Sequence, residues 1–231
     1  MTDNIIVGEP NRPWLPLESR YNNLWRYANH YARTIRPGES VLDIGSGHRP
    51  FKLATLLLDR YVGSTEHRDF LAIQIDRPFV QGDGLGLPFR DKSIDVVIAS
   101  SVAEHTSDPV MFCDEMVRVG RRGYIETLSP LCELFFADVN DVGHKWLVSV
   151  ECQKTLVFTR RVWRSPFSRV FLSLRAPASP EPDSESVAYY FQEIEETAWD
   201  ALHTVFSWRD SFEYDVREGE PLESNICLEG W

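Results

Sequence analysis

The chain has 231 residues, of which 43% are hydrophobic and 26% charged, a composition typical of a globular protein with one full hydrophobic core. Its formal net charge of −11 argues against a protein that grips nucleic-acid phosphates or an anionic membrane surface. The four scattered cysteines lack metal-site spacing, and the first residues lack a signal-peptide pattern, so we predict a cytoplasmic protein.

The first 37 residues predict a cap segment. A proline-rich stretch at 8–17 comes first, and aromatic and apolar residues then recur at helical spacing as far as Ile35. Pro37 and Gly38 are a stop signal for that helix. We expect its aromatic stripe to face the core.

Five short apolar runs then predict strands, at residues 40–44, 54–60, 78–81, 94–100 and 123–127. A helix is predicted at 109–119, between the last two strands. Several of the runs are continuously apolar rather than alternating. This pattern favours strands covered on both faces, as in a parallel sheet with helices on either side.

The pattern changes after residue 130. Runs at 145–150 and 155–160 flank a polar stretch and predict a hairpin. We further predict an exposed loop at 176–186, a helix at about 186–203 and a strand at 211–216. We interpret residues 1–231 as one domain, with a cap at 1–37, a cofactor-binding core at 38–128, and acceptor-side and C-terminal elements at 129–231.

The stretch VLDIGSGHRPF, residues 41–51, combines a strand with a glycine-containing turn. Glycines at such a strand end let the backbone turn tightly beside a ligand. Two dinucleotide-binding fingerprints fail at their third glycine, where Arg49 and Pro50 stand. Asp59 closes the second strand, where an acidic side chain can accept hydrogen bonds from a ribose. Its short spacing from Asp43 predicts a short helix between the two strands.

An ordered series of motifs carries a family resemblance. The series VLDIGSG, LLLD, GDGLGLPF, SIDVVIASSVAEHTSDP and RRGYIET resembles the class I S-adenosylmethionine-dependent methyltransferases. The resemblance covers roughly residues 38–128. It implies an α/β, Rossmann-like fold with a mostly parallel seven-stranded sheet, helices on both faces and a C-terminal antiparallel hairpin.

The resemblance also implies S-adenosyl-L-methionine as the cofactor and assigns roles to particular residues. Asp43 would orient the loop and reach the methionine amino group, while Asp59, preferred over Asp76, would bind the ribose. Asp83 would bind the adenine amino group. The other predicted cofactor contacts are Gly45, Ser46 and Gly47 at the methionine moiety, Gly84 and Leu85 at the adenine ring, and Ser100 near the sulfonium. We further hypothesise that Arg49 pairs with the methionine carboxylate.

Methyl transfer to oxygen or nitrogen can require a general base, and histidine suits that role near neutral pH. His105 and His144 are the candidates, because both follow strand ends on the side where the cofactor would lie. Asp138 and Asp141 near His144 suggest a metal site as a weaker alternative. We predict a general base and no metal.

The sequence therefore predicts a methyltransferase acting on a small molecule, at a hydroxyl oxygen of a sugar or secondary metabolite. We expect neither nucleic acid nor membrane as a partner, and a homodimer is an open alternative for its assembly. Two other functions stay open. The missing third glycine favours a non-catalytic Rossmann-like nucleoside-binding protein, and the acid after the second strand also suits an NAD-dependent oxidoreductase. The oxidoreductase interpretation lacks a Tyr-x-x-x-Lys or comparable hydride-transfer set.

Overall fold

The computed structural model describes residues 31–63, 65, 68, 70–136, 143–162 and 198–220. A six-stranded sheet forms its centre, in the order β3-β2-β1-β4-β5-β8. Its strands are β1 (Val41–Ile44), β2 (Leu56–Asp59), β3 (Phe79–Gln81), β4 (Ile94–Ser100), β5 (Gly120–Leu128) and β8 (His203–Arg209). The first five run parallel, and β8 is antiparallel to β5.

The predicted α/β fold with a mostly parallel sheet is confirmed. Helices are α1 (Pro109–Val119), α2 (Pro130–Phe136) and α3 (Trp199–Leu202), with a 3₁₀ turn at Ala103–His105. The described residues contribute six strands to the central sheet, against the seven we predicted. Within the described part of the chain, no helix is long and apolar enough to cross a membrane.

The predicted hairpin is present, but it belongs to a second sheet. Strands β6 (Trp146–Glu151) and β7 (Thr155–Arg160) pair antiparallel. Cys152 and Gln153 join them with positive φ angles of 50° and 57°, a backbone geometry whose twist suits a tight hairpin. Strand β9 (Glu213–Arg217), predicted at 211–216, pairs parallel with β7 and completes this three-stranded sheet.

The predicted helix at 186–203 is wrong at its C-terminal end. Only Trp199–Leu202 is helical there, and His203 already begins strand β8, which the sequence analysis missed. Residues 186–197 lie outside the described part. The strand buries alternate residues, Thr204, Phe206 and Trp208, which is the period of two that a half-buried strand requires.

The predicted short helix between β1 and β2 is also wrong, because residues 45–55 connect these strands through turns alone. This connection is close to the shortest that joins parallel neighbours, about 10–12 residues including any helix. Backbone N–H groups of this connection donate hydrogen bonds to residues of β1, the strand that precedes it. Phe51 N donates to the Asp43 carboxylate at 2.8 Å, and Thr55 N donates to the Val41 carbonyl at 2.9 Å.

Two apolar layers cover the central sheet. One face packs against Phe112 and Met116 of α1 and against residues of the second sheet, including Val148 and Phe158. The other face packs against Phe51, Ala54 and the end of the cap segment at residues 31–35. Helix α1 has the predicted bounds, since Asp108 caps it by accepting from Met111 N at 3.0 Å and Pro109 occupies its first turn. The carboxyl ends of β1, β2, β3 and β4 are thereby held along one edge of the sheet.

Candidate functional site

The loop after β1 has a backbone that only glycine accommodates readily. Gly45 and Gly47 have φ angles of +70° and +53°, in the left-handed region. A Cβ on Gly45 would lie 2.5 Å from Cγ2 of Val102, the residue just before the 3₁₀ turn. The loop therefore lies directly against the segment that follows β4.

The backbone N–H groups of this loop are directed to the end of β2. Gly45 N and Ser46 N both donate to the Leu58 carbonyl, at 2.7 and 3.2 Å. Gly47 N donates to the Asp59 carboxylate at 3.0 Å. The glycine loop and Asp59, predicted to share a ligand, are thus in direct contact.

The Asp59 carboxylate is buried and has further partners. It accepts from Tyr61 N at 2.8 Å and lies 3.5 Å from the Arg68 guanidinium. Arg68 is itself buried and donates to the carbonyls of Tyr61 and Gly63. Arg68 therefore covers the carboxylate that we expect to bind the ribose. Asp76, the competing acid, lies outside any strand and pairs with Arg77.

Asp43 lies inside the sheet at the start of the loop and is 2% exposed. It accepts from Phe51 N and so holds the far end of the loop against β1. Burial raises its pKa to about 7, an effect that the hydrogen bond from Phe51 only partly offsets. Its observed contact is with the loop backbone, which fits the orienting half of its predicted role.

The predicted adenine subsite is a turn after β3. Asp83 accepts from Leu85 N at 3.0 Å through its side chain and from Gly86 N through its carbonyl. Its second carboxylate oxygen lies 3.2 Å from the Arg60 guanidinium, and the side chain is 41% exposed. Gly84 lies within contact distance of Phe112, so a Cβ there would meet the Phe112 ring at 3.4 Å. Asp83 is therefore accessible beside the end of β2.

The remaining predicted contacts flank the loop. The Ser46 hydroxyl is buried and has no hydrogen-bond partner among the described residues. Arg49 is half-buried farther along the loop, and Ser100 is half-buried at the end of β4. Ser101 follows with a left-handed φ of 54° and donates through its N–H to the Glu126 carbonyl. Ser46 and Arg49 thus belong to the loop after β1, whereas Ser100 and Ser101 precede the segment that contains His105.

The two candidate histidines, far apart in the sequence, meet in the structure. His105 ends the 3₁₀ turn after β4, and His144 lies two residues before β6. Their ring centroids are 4.5 Å apart in an edge-to-face arrangement. Lys145 N donates to the Glu104 carbonyl at 2.7 Å, which ties the two segments together. The fold therefore brings both predicted bases into one cluster.

A buried carboxylate orients His144. Glu133 of α2 is 1% exposed, and one of its oxygens lies 2.5 Å from Nδ1 of His144. Its other oxygen lies 3.2 Å from the Arg161 guanidinium, which is also buried. Because an ionised carboxylate can only accept, Nδ1 of His144 carries the proton of this hydrogen bond.

Two more buried carboxyl groups border the histidines. Glu104 is 1% exposed and Glu126 2% exposed, and each has one oxygen without a hydrogen-bond partner among the described residues. Burial, with a smaller contribution from the charge of Glu104, raises the pKa of Glu126 to about 7, although the hydrogen bond from the Tyr124 hydroxyl at 2.6 Å lowers it. One ligand atom from each of Glu104, His105 and His144 lies within 4.8 Å of the others.

Sequence reasoning assigned no role to Glu104, Glu126, Glu133 or Arg161. A signal was present for two of them, because Glu126 interrupts the apolar strand GYIET and Glu133 interrupts the apolar helix PLCELFF. A charged residue at a core-facing position requires a partner. Asp138 and Asp141, the alternative metal ligands, lie outside the described residues.

Comparisons with known proteins find similarity in the central part of the chain. Residues 42–125 match the family model described as a methyltransferase domain. Proteins called uncharacterized methyltransferases from Mycobacterium sp. (strain KMS) and Mycolicibacterium vanbaalenii are 38% and 36% identical over 112 and 114 residues. These matches cover 46% of this chain and 43% and 44% of the relatives. The matched part thus spans less than half the length of these curated relatives.

Solved structures similar to this chain include two that are described as putative methyltransferases. One is a putative methyltransferase from an antibiotic biosynthesis pathway of Anabaena variabilis, 19% identical, with a TM-score of 0.39 over 48% of this chain and 49% of that chain. The other is a putative methyltransferase in complex with the Trm112 activator of Haloferax volcanii, 24% identical, with a TM-score of 0.37 over 48% and 54%.

Proposed function

We propose that this chain, whose residues 42–125 match the methyltransferase-domain model, is a class I methyltransferase that transfers a methyl group from S-adenosylmethionine to a hydroxyl oxygen of a small-molecule acceptor. One contact carries the proposal. Val102 touches the glycine loop at Gly45, and its carbonyl accepts from His105 N at 3.0 Å. The cofactor loop and the histidine cluster are therefore immediate neighbours, as donor and acceptor sites of one reaction must be.

The loop and strand ends fit the cofactor in their chemistry. The positive φ angles of Gly45 and Gly47 allow close approach of a ligand, and the buried Ser46 hydroxyl offers an unused hydrogen-bonding group. Asp83 offers an accessible carboxylate to an amino group such as that of adenine. Asp59 fits a ribose on the condition that the Arg68 guanidinium moves away from its carboxylate.

Arg49 is our candidate for binding the methionine carboxylate. It replaces a glycine of the fingerprint and is half-buried within the loop, four residues beyond Gly45. A guanidinium binds a carboxylate through charge-assisted, often bidentate hydrogen bonds. This contact would compensate for the missing helix after β1, whose N-terminus would otherwise attract an anion.

The cofactor, when bound, supplies an electrophilic methyl group on a sulfonium. The protein's task is then to hold the acceptor oxygen in line and to receive its proton. The histidine cluster suits this task, since Glu133 favours the tautomer of His144 in which Nε2 is the basic nitrogen for the acceptor proton. His105 packs against the ring of His144 and limits the orientations open to it. A sugar or secondary-metabolite hydroxyl is the acceptor class we propose.

Calorimetry on the purified chain tests the cofactor first. We expect micromolar binding of S-adenosylmethionine and S-adenosylhomocysteine, and no comparable binding of NAD. Preference for NAD would overturn the proposal in favour of an oxidoreductase. Binding of neither methionine-derived ligand, by a protein whose circular dichroism and melting are those of a folded chain, would overturn it as well.

Release of S-adenosylhomocysteine over a panel of hydroxylated small molecules tests the transfer. We expect turnover with at least one sugar or phenolic acceptor, greatly reduced in His144→Gln and unchanged in the surface variant Glu218→Gln. Cofactor binding without turnover on any acceptor would favour the non-catalytic nucleoside-binding alternative. The covered Asp59 carboxylate is the observation that keeps this alternative open.

A further inference from the structure

We propose that Glu104, His105 and His144 bind a divalent transition-metal ion. Each residue offers one ligand atom, and the three atoms lie within 4.8 Å of one another. Ligands at about 2.0–2.2 Å from one ion are separated by about 3–4 Å, so small side-chain rotations bring this set to coordinating distance. Two imidazoles and one carboxylate form a donor set suited to zinc, cobalt, manganese or iron rather than to calcium.

The carboxylate of Glu104 gives an independent reason for a cation. The residue is 1% exposed, and its Oε2 is buried with no hydrogen-bond partner among the residues described. Within the same part of the chain, no Lys or Arg forms an ion pair with it. A buried carboxylate oxygen with neither hydrogen-bond partner nor solvent is unfavourable. A bound cation beside it would remove this cost.

The surroundings of the histidines resemble the outer shell of a metal centre. Nδ1 of His144 donates to Glu133, which orients the ring and favours the tautomer whose Nε2 carries the lone pair that a metal needs. Arg161 lies 3.2 Å from the second oxygen of Glu133 and neutralises that carboxylate. Glu133 is thereby reserved for His144, and Glu104 stays available to the ion.

A metal held by three protein ligands keeps one or more positions open. The proposed acceptor can occupy such a position through its hydroxyl oxygen, and coordination lowers the pKa of that hydroxyl so that its proton passes to solvent water. This role in the reaction rests on the proposed function, whereas metal binding itself does not. In the metal-bound chain the two histidines act on the acceptor as ligands rather than as bases.

Cobalt binding provides a readout that is independent of activity. The purified full chain is stripped with EDTA, dialysed and titrated with Co²⁺ while visible absorption is recorded. We expect about one Co²⁺ per chain with ligand-field bands that Zn²⁺ abolishes by displacement. Glu104→Gln and His144→Gln should each weaken binding by at least about tenfold, and Glu133→Gln by about 10- to 100-fold. Glu218→Gln, which removes an exposed charge, should bind like the wild type.

Melting temperatures distinguish the loss of a metal-ligating side chain from the loss of the folded structure. Without metal, Glu104→Gln should melt at or above the wild-type temperature, because it removes a buried unpaired charge while keeping the side-chain shape. Absence of Co²⁺ binding by the wild type, or a Co²⁺ affinity in both Glu104→Gln and His144→Gln equal to that of the wild type, would overturn the metal site. Cofactor calorimetry on the same sample is the separate test of the proposed function. Methyl transfer unaffected by EDTA would overturn the metal's role in the reaction.

Discussion

The carboxylate of Glu133 lies 2.5 Å from Nδ1 of His144, and neither side chain is more than 14% exposed. Glu133 belongs to helix α2, whereas His144 lies just before strand β6. The hydrogen bond therefore fixes one imidazole where the central sheet and the second sheet adjoin. This contact places Nδ1 of His144 against the Glu133 carboxylate and thereby orients the ring.

Glu133→Gln should remove the preference of His144 for the tautomer that is protonated at Nδ1. Glutamine keeps the side-chain shape but loses the charge that favours a proton on Nδ1. In the wild type we expect a low-field Nδ1–H resonance in proton NMR spectra, assigned through His144→Gln, and we expect it to disappear in Glu133→Gln. Retention of that resonance in Glu133→Gln would contradict the assigned contact, and Glu218→Gln serves as the charge control.

Gly45→Ala should destabilise the fold. The left-handed φ of +70° costs a side-chain-bearing residue about 1–3 kcal/mol, and the new Cβ would lie 2.5 Å from Val102. Urea unfolding measures this loss. Gly86→Ala is the matched control, since no atom lies within 4 Å of its added Cβ, and it should be nearly neutral. Adding Val102→Ala should restore part of the loss by removing the steric overlap, and no recovery would argue against that contact.

Stability should fall as pH rises from about 4 to about 7. Burial raises the pKa of Asp43 from 3.8 to about 7, so across this window the folded chain keeps a proton that the unfolded chain has released. The raised pKa of Glu126 acts in the same direction. Asp43→Asn keeps an oxygen to accept from Phe51 N but cannot ionise. It should flatten the pH profile and exceed the wild type in stability above pH 7; a lower stability there would refute the assignment.

Asp59 and Arg68 should affect cofactor affinity in opposite directions. Asp59→Ala removes the proposed ribose ligand and should weaken S-adenosylmethionine binding by about 1–3 kcal/mol. Arg68→Ala uncovers the same carboxylate and should strengthen binding. Arg121→Ala, which removes an exposed guanidinium near the opposite ends of the strands, is the control. Calorimetry of the three variants gives the comparison, and weaker binding in Arg68→Ala would mean that Arg68 supports the site instead of covering it.

Arg49→Ala should weaken binding of S-adenosylmethionine strongly if Arg49 pairs with the methionine carboxylate. Adenosine lacks that carboxylate, so its affinity should be unchanged by the same substitution. The difference between the two ligands isolates the contact from any general change in the loop. Equal losses for both ligands would dispose of this role.

Local patterns predicted most of the core. Strand β4 and helix α1 have the predicted bounds, because continuous apolar runs and an Asp-Pro start signal are properties of short segments. The family resemblance was confirmed by the match of residues 42–125. The domain boundaries, the cytoplasmic location and the homodimer stay predictions, as do the roles of the site residues.

Other elements depended on distant partners. Strand β5 begins at Gly120 rather than at the predicted 123. Charged residues do not predict a buried strand, but Arg122 is buried in β5 because it forms an ion pair with Glu39 at 2.5 Å. Strand β8 was missed because its partner is β5, far away along the chain. The helix expected after β1 is absent since the Asp43 carboxylate and strand carbonyls already satisfy the backbone of that connection.

The sequence by itself determined which segments form the parallel strands, where the glycine turn follows β1 and which two histidines are candidates for the site. Each of these follows from neighbours within a few residues, whose periodicity and backbone preferences are visible in the chain. Only the tertiary structure decided that His105 meets His144, that Glu133 orients it and that Arg68 covers Asp59. Such contacts join residues from separate elements, and their geometry follows from how the two sheets and the loops pack, which no local pattern encodes.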